Sequence, residues 1–260
     1  IVAIDPADAR DHDDAIWAAP DDSPDNKGGF KALIAIADVS YYVRSGSKLD
    51  REAYKRGNSV YFPDRVVPML PEALSTDVCS LKQGVDRAAL VCHVTIDAKG
   101  QVIASRFTRA IVKLAGNIAY EDAQAAMDGK LDHPLKSRAL KPLWACWKLL
   151  AKARDTREPL NLDLPEKRVV LDDQGKIVEI AIRERLDAHR LVEDYMIVAN
   201  VAAARMPESQ KSPVIDPVQA APSGGKLIAV QGYPQRVDIS LAPGQGTNAE
   251  VFTPLFESGG

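Results

Sequence analysis

Four aspartates stand close together near the start of the chain, at Asp5, Asp11, Asp13 and Asp14. An apolar run precedes the first, and a second apolar run, Ala15–Trp17, follows the last. This pattern predicts strand, tight loop, strand, with the carboxylates gathered at the strand ends. Crowded like charges repel unless a cation lies among them, and carboxylate oxygens suit Mg²⁺ and Mn²⁺. Two such ions, about 3.5–4 Å apart, can clamp the attacking and leaving oxygens of a phosphodiester during hydrolysis.

The residues alone leave other interpretations of this loop open. It could be a solvated acidic turn, because aspartate favours turns for purely local reasons. An EF-hand calcium loop fits badly, since ligand positions counted from Asp5 or Asp11 fall on apolar residues and the central Gly is missing. A haloacid-dehalogenase-like phosphatase would use Asp11 and Asp13 as a DxD pair, but its nucleophilic aspartate directly ends an apolar strand, a place that Asp5 occupies. A second acidic stretch, 21–29, lacks tight apolar flanks and is interpreted as a hairpin connection.

The rest of the chain alternates strand-like and helix-like patterns, which predicts an α+β fold with a mixed sheet and packed helices. Strands are predicted in 30–43, 88–97, 101–113 and, as a second hairpin, 166–182. Helices are predicted in 45–56, 120–127, 135–157 and 188–205. Trp144 and Trp147 fall on the apolar face of the third helix, which indicates core positions and not a surface for stacking bases.

Composition excludes several classes of protein. The 260 residues carry a net charge of −3, so any nucleic-acid contact must use a local basic channel. Three cysteines with no CxxC spacing predict buried free thiols in a reducing cytoplasm, with neither disulfides nor a zinc site. No apolar run approaches membrane-spanning length, so no membrane association is expected. Because the chain lacks an initiator Met and opens inside a strand, we expect it to be part of a longer protein.

Several motifs in order resemble the ribonuclease II / ribonuclease R (RNB) family of exoribonucleases, and within it ribonuclease R. The signature lies at the loop that carries the four aspartates, from Asp5 to Asp14, called the acidic loop below. It reads IDP, ARD and DDA at 4–6, 9–11 and 13–15. Further similar stretches are IADVSYYV at 36–43, RGNSVYFPDRVVPMLP at 56–71, LS at 74–75, CSL at 79–81 and DAHRLVED at 187–194. The resemblance covers about two hundred residues, so it is far more specific than one aspartate cluster.

This resemblance implies an RNB-type catalytic domain that hydrolyses RNA processively from the 3′ end to nucleoside 5′-monophosphates. It implies that Asp5, Asp11, Asp13 and Asp14 hold Mg²⁺, with Mn²⁺ as an alternative, and catalyse the reaction. Tyr61 matches the tyrosine that contacts the terminal nucleotide. Either Glu193 or Asp194 matches an acidic residue near the last nucleotides, and Glu193 is taken as the candidate. Arg65 is a candidate for lining the channel. The expected partner is the single-stranded 3′ end of RNA, bound by a monomer.

The chain also departs from the family. A later HFTSPIRRY-like motif and a downstream arginine near the scissile phosphate are missing, and so are barrels that capture RNA. We therefore predict residues 1–206 as the N-terminal part of the catalytic domain, 207–225 as a linker-like segment and 226–260 as a truncated continuation. The missing arginine supports an alternative function, a catalytically inactive remnant that binds RNA.

Overall fold

The structure is a computed structural model, and it describes residues 1–156, 167–172, 174–182 and 184–209. A six-stranded sheet lies at its centre, with strand order β7-β6-β3-β2-β1-β8. Its strands are β1 (Val2–Asp5), β2 (Asp14–Pro20), β3 (Phe30–Ala37), β6 (Asp86–Ile96), β7 (Val102–Lys113) and β8 (Gly116–Ala119). β1 pairs with β8 in parallel, and the other neighbours are antiparallel, so the predicted mixed sheet is confirmed.

In the part of the chain that the structure describes, two short two-stranded sheets lie outside the central one. β4 (Val60–Tyr61) pairs with β5 (Val66–Val67), and β9 (Lys167–Leu171) pairs with β10 (Ile177–Ile182). The second pair confirms the hairpin predicted in 166–182. β4 and β5 carry the tyrosine that the sequence singles out, so this small hairpin matters for the candidate site.

The helices are α1 (Val39–Tyr42), α2 (Lys48–Arg56), α3 (Tyr120–Met127), α4 (Lys141–Asp155) and α5 (Asp187–Ser209). α1 corrects the sequence prediction, because 30–43 forms one strand and then a helical turn. Segments 73–78 and 136–140 are π-helical turns, and the second leads directly into α4. The helix predicted over 135–157 is therefore present, but its first turn is wound more widely.

Alternating side chains give the central sheet a buried face on each side. On one face α3, α4 and α5 cover the larger core, which contains Trp144 and Trp147 at 5% and 8% exposure, as predicted. On the other face alanines dominate, including Ala3, Ala15 and Ala35, and the segment with Cys79 and Leu81 packs against them. Small side chains let this segment approach the sheet closely, directly below the acidic loop.

All three cysteines are free and buried, as predicted. α5 runs to Ser209 and so enters the segment predicted as a linker from 207. The rest of that segment, and the continuation predicted for 226–260, lie outside the described residues. Among the helices that the structure describes, none combines the length and the apolar character needed to cross a bilayer.

Candidate active site at the acidic edge of the sheet

Two neighbouring strands place the aspartates at one edge of the sheet. Asp5 is the last residue of β1 and Asp14 the first residue of β2, and the two strands are antiparallel neighbours. Asp11 and Asp13 lie in the connection between them, which turns through a hydrogen bond from the Ala9 N–H to the Pro6 carbonyl, 3.0 Å long. The predicted arrangement of strand, loop and strand is therefore correct, and the four carboxylates share one edge.

Other parts of the chain hold the backbone of this loop. The Ala37 N–H, at the end of β3, donates to the Asp13 carbonyl at 2.8 Å. The Leu81 N–H donates to the His12 carbonyl, also at 2.8 Å. A loop whose backbone groups are bound by distant residues keeps its shape, so this is no free solvated turn.

The electrostatics of the loop are those of crowded carboxylates. Burial, reinforced by the negative charges of Asp13 and Asp5, raises the pKa of Asp14 from 3.8 to about 7. Desolvation also raises the pKa of Asp13, and the charges of Asp5 and Asp11 add to it, although part of that side chain reaches solvent. These mutual effects require that the carboxylates lie close together.

His12 lies inside this cluster, and the sequence analysis did not select it. Its Nδ1 is 2.6 Å from Oδ2 of Asp5, and both side chains are largely buried. The hydrogen bond to Asp5 is the main cause that raises the pKa of His12, and burial opposes it. The imidazole therefore orients one oxygen of Asp5 and leaves the other free to bind a ligand.

The described part of the chain provides no lysine or arginine as a partner for the other carboxylates of the loop. Among the described residues, no lysine or arginine forms an ion pair with any of the four aspartates, and the neighbouring Arg10 pairs with Glu72 at 3.7 Å. Nor do three acidic, histidine or cysteine side chains converge on one point anywhere in the described part of the chain. The donors fit a hard divalent cation in type and in charge, but their side chains are not assembled around one centre.

A cleft beside the loop contains the candidate tyrosine. It has a volume of about 350 Å³, and Asp11 and Tyr61 line it together with Arg10, Ser59 and Val66. Tyr61 is 70% exposed, because β4 and β5 are too short to cover it. The structure therefore brings Tyr61 and the acidic loop to one cleft, which is open enough to admit a flexible polymer end.

Of the four aspartates only Asp11 lines this cleft, and neither Arg65 nor Glu193 lines it. Arg65 pairs with Asp64 at 2.7 Å, and its guanidinium lies over the ring of Phe62, 4.8 Å from the centroid. Glu193 lies on the exposed side of α5 and pairs with Arg185. Their proposed contacts with substrate stay predictions.

The neighbour of Glu193 takes the inward position that the sequence left open. Asp194 is only 5% exposed. It accepts hydrogen bonds from Trp147 Nε1 and from Arg154 Nη1, both at 2.7 Å. Because its charge is matched by the partly exposed guanidinium of Arg154, Asp194 links α5 to α4 as a structural residue.

Comparison with known proteins shows to which family this chain belongs. The model of the RNB domain family matches residues 1–250. This chain belongs to the RNB family. It is 36% identical to ribonuclease R of Escherichia coli K12 over 263 residues, which covers 99% of this chain and 32% of that protein. It therefore spans about a third of the length of this curated relative.

Solved structures support the same fold for this RNB domain. It superposes on Mycoplasma genitalium RNase R in complex with double-stranded RNA with a TM-score of 0.90 and 27% identity, over 98% of this chain and 46% of that one. It also resembles yeast Ssd1, described as a pseudonuclease, with a TM-score of 0.71 and 16% identity, over 99% of this chain and 30% of that one. At such low identity only the fold is shared, so the fold alone does not decide whether a member is catalytic.

Proposed function

We propose that this chain is the acidic part of the catalytic domain of a metal-dependent 3′→5′ exoribonuclease, which degrades RNA processively to nucleoside 5′-monophosphates. One observation carries the proposal. The fold holds four carboxylates at a sheet edge, with His12 but no lysine or arginine among the described residues as their partner, and an open cleft beside them contains Tyr61. Membership of the RNB family, with relatives named ribonuclease R, makes an RNA 3′ end the proposed substrate.

In this proposal the cleft holds the end of a single strand. The exposed ring of Tyr61 offers a stacking surface that is indifferent to sequence, since every base has a π-face. Asp11, on the same cleft, then lies close to the terminal phosphate and would repel it unless a cation lies between them. In this proposal the cleft therefore binds the phosphate of an RNA end only when a cation is bound as well.

Asp5, Asp11, Asp13 and Asp14 would hold the proposed Mg²⁺, or Mn²⁺ in its place. Such an ion supplies a water of lowered pKa and neutralises charge on the phosphate. The residues of the chain have separate tasks around it. His12 orients one oxygen of Asp5, and the proton that Asp14 keeps near pH 7 must leave before its carboxylate can accept a cation. The affinity for the cation should therefore rise with pH through about 7, because the proton and the cation compete for the same carboxylate.

The experiment uses oligo(A) labelled at the 3′ or the 5′ end, with Mg²⁺ or with EDTA. It is run on the 260-residue chain and on a full-length ribonuclease R that carries these residues. The 3′ label should appear at once as mononucleotide, and the 5′ label should end in a short limit product. Excess unlabelled RNA added after mixing should not change the product lengths if degradation is processive. Internal cleavage, or hydrolysis that EDTA does not affect, would contradict the proposal.

A second function, RNA binding without turnover, has its own support. The described side chains do not converge on a metal centre, and a pseudonuclease shares the fold. It predicts binding of oligo(A) with no product in either form of the protein. The phosphatase alternative has less support, because the sheet is mostly antiparallel and the RNB model matches the chain.

We also propose a monomer in the cytoplasm. Three buried free thiols support a reducing compartment. Size-exclusion chromatography with light scattering tests the first statement, and cell fractionation tests the second.

A further inference from the structure

Ser80 lies buried directly beneath the acidic loop, with 1% of its surface exposed. Its hydroxyl donates to the carbonyl oxygen of Arg10 at 3.1 Å and accepts a hydrogen bond from the N–H of His12 at 3.0 Å. These two contacts lie on either side of Asp11. One side chain therefore bridges the backbone that carries Asp11, from about seventy residues further along the chain.

The residues around Ser80 are themselves anchored to the sheet. The carbonyl of Ser80 accepts from Nε of Arg87, on β6, at 3.1 Å. The carbonyl of the next residue, Leu81, accepts from Nδ2 of Asn117, on β8, at 3.0 Å. The backbone of Ser80 and Leu81 is thus bound to β6 and β8, and the Ser80 hydroxyl fixes the acidic loop relative to these two strands.

We propose that Ser80 is a positioning residue of the acidic loop, and that its side chain sets the backbone around Asp11. It fixes the backbone on both sides of Asp11, and through His12, whose imidazole binds Asp5, it also fixes the direction of a second carboxylate. The proposal rests on the proposed function, because positioning matters to catalysis only if these carboxylates act on substrate. Without the hydroxyl, the Arg10 carbonyl and the His12 N–H lose their partner together.

The chain offers a matched control at the opposite end of the sheet. Asn26 is also buried, and its Nδ2 also binds a distant backbone carbonyl, that of Ile96, at 3.1 Å, and the carboxylate of Asp21. Asn26→Ala removes interactions of the same kind about 20 Å from the acidic loop, as judged from the length of β2. It therefore reports what a loss of stability alone does.

The first measurement is hydrogen exchange of the 260-residue chain by NMR, with the core amide of Ile16 as internal reference. In Ser80→Ala the His12 amide should exchange at least about tenfold faster relative to Ile16, because its acceptor is gone. In Asn26→Ala the ratio should stay within about twofold of the parent. Equal ratios in the parent and Ser80→Ala would overturn the proposal.

The second measurement is single-turnover decay of oligo(A) by a full-length ribonuclease R that carries these residues. Ser80→Ala should lower the rate at saturating RNA by about 30-fold while the dissociation constant stays within about threefold. Asn26→Ala should change neither by more than about twofold once corrected for the folded fraction. Equal rate losses in both variants would show that Ser80 acts only through stability, and would overturn the proposal.

The two measurements separate this proposal from the proposed function. If the parent protein does not hydrolyse RNA, the proposed function fails, and His12 exchange still decides whether Ser80 fixes the loop. If Ser80→Ala does not fold, Ser80→Cys replaces it, since a thiol fills a similar volume but is a weak donor and acceptor. Ser80→Cys should then show the same two changes to a smaller extent, faster exchange of the His12 amide and a single-turnover rate lowered at least about fivefold. A thiol variant with the exchange and the rate of the parent would contradict the proposal.

Discussion

The two ends of β2 carry acidic connections whose carboxylates have different partners in the structure. At one end, the carboxylate of Asp21 accepts hydrogen bonds from Nζ of Lys31 at 2.8 Å and from Nδ2 of Asn26 at 3.0 Å. The hydrogen bond from Lys31 is the main reason why the pKa of Asp21 falls to about 2. At the other end burial raises the pKa of Asp14 to about 7. The fold supplies a lysine to the first connection, whereas the only basic partner of the second, among the described residues, is the imidazole of His12 at Asp5.

This difference indicates what each connection is for. A carboxylate with a fixed cation and an amide partner stabilises the fold and has little left to offer a ligand. Carboxylates held together without a cation raise the free energy of the unliganded protein, a cost that persists where the surrounding structure imposes it. The predictions below test this contrast, from the largest expected effect to the smallest.

Asp13→Asn, at the end of β2 that carries the acidic loop, should lower turnover the most. It keeps the shape of the side chain and removes one negative charge, so we expect the rate to fall at least about a thousandfold, roughly 4 kcal/mol in the barrier. RNA affinity should stay within a few-fold, because backbone phosphates and stacked bases provide it. The measurements, in a full-length ribonuclease R that carries these residues, are single-turnover decay of labelled oligo(A) and its dissociation constant in EDTA at fixed salt. Lost binding with intact turnover of the bound complex would move the metal site elsewhere.

Asp14→Asn should stabilise the metal-free chain at high pH. Because its folded pKa of about 7 lies above the unfolded value of 3.8, the parent loses stability as pH rises from about 4 to 7. At pH 8 the variant should be more stable by on the order of 2 kcal/mol, since part of the side chain is solvated. At pH 3.5 the difference should shrink towards zero. Urea unfolding at both values of pH measures it, and a variant that is less stable at pH 8 would contradict the account.

Tyr61→Ala should weaken the grip on the terminal nucleotide by about 1–3 kcal/mol, the usual contribution of one stacked base. The limit product of 5′-labelled oligo(A) should become longer in a full-length ribonuclease R that carries these residues, and metal affinity should not change. Tyr54→Ala is the matched control, because this tyrosine of α2 is 90% exposed and does not line the cleft. An unchanged limit product, or the same change in both variants, would count against Tyr61 as a substrate contact.

Asp21→Asn should have the smallest effect on activity. It loses the ion pair with Lys31, so the midpoint of thermal unfolding should fall at pH 7. Because the folded pKa lies below the unfolded one, this contribution is present above about 4 and disappears as pH falls through 2, so parent and variant should converge there. Turnover per folded molecule should equal that of the parent. A loss of turnover comparable to that of Asp13→Asn would remove the distinction between the two ends.

Local patterns predicted much of the fold and of the acidic loop. Alternation and helical periodicity were sufficient for β6, β7, α3 and α5, and the apolar runs around the aspartates predicted how β1 and β2 end. The helical turn of α1 was missed because Val39, Tyr41 and Tyr42 favour strands. Local hydrogen bonds form the turn instead, from the Tyr41 N–H to the Asp38 carbonyl and from the Val43 N–H to the Val39 carbonyl.

The remaining features depend on contacts that no local pattern contains. Ser80 binds the acidic loop although the two are about seventy residues apart in the sequence, and the Asp194 carboxylate binds Arg154 although they are 40 residues apart. His12 could have been selected, because an imidazole between aspartates is a natural hydrogen-bond partner for one of them. The opposite pKa shifts of Asp14 and Asp21 could not have been predicted, because they depend on where Lys31 lies after the sheet has formed.

The most direct test of the central claim is paramagnetic broadening by Mn²⁺ in the amide spectrum of the 260-residue chain at pH 8. The account predicts that substoichiometric Mn²⁺ broadens the amide signals of Asp5 and Asp11–Asp14, and that excess Mg²⁺ restores them. Signals of the 21–26 connection, about 20 Å away at the other end of β2, should stay sharp despite its three aspartates. Broadening at 21–26 instead, or at neither end, would contradict the claim that the acidic edge of this RNB domain is a cation site.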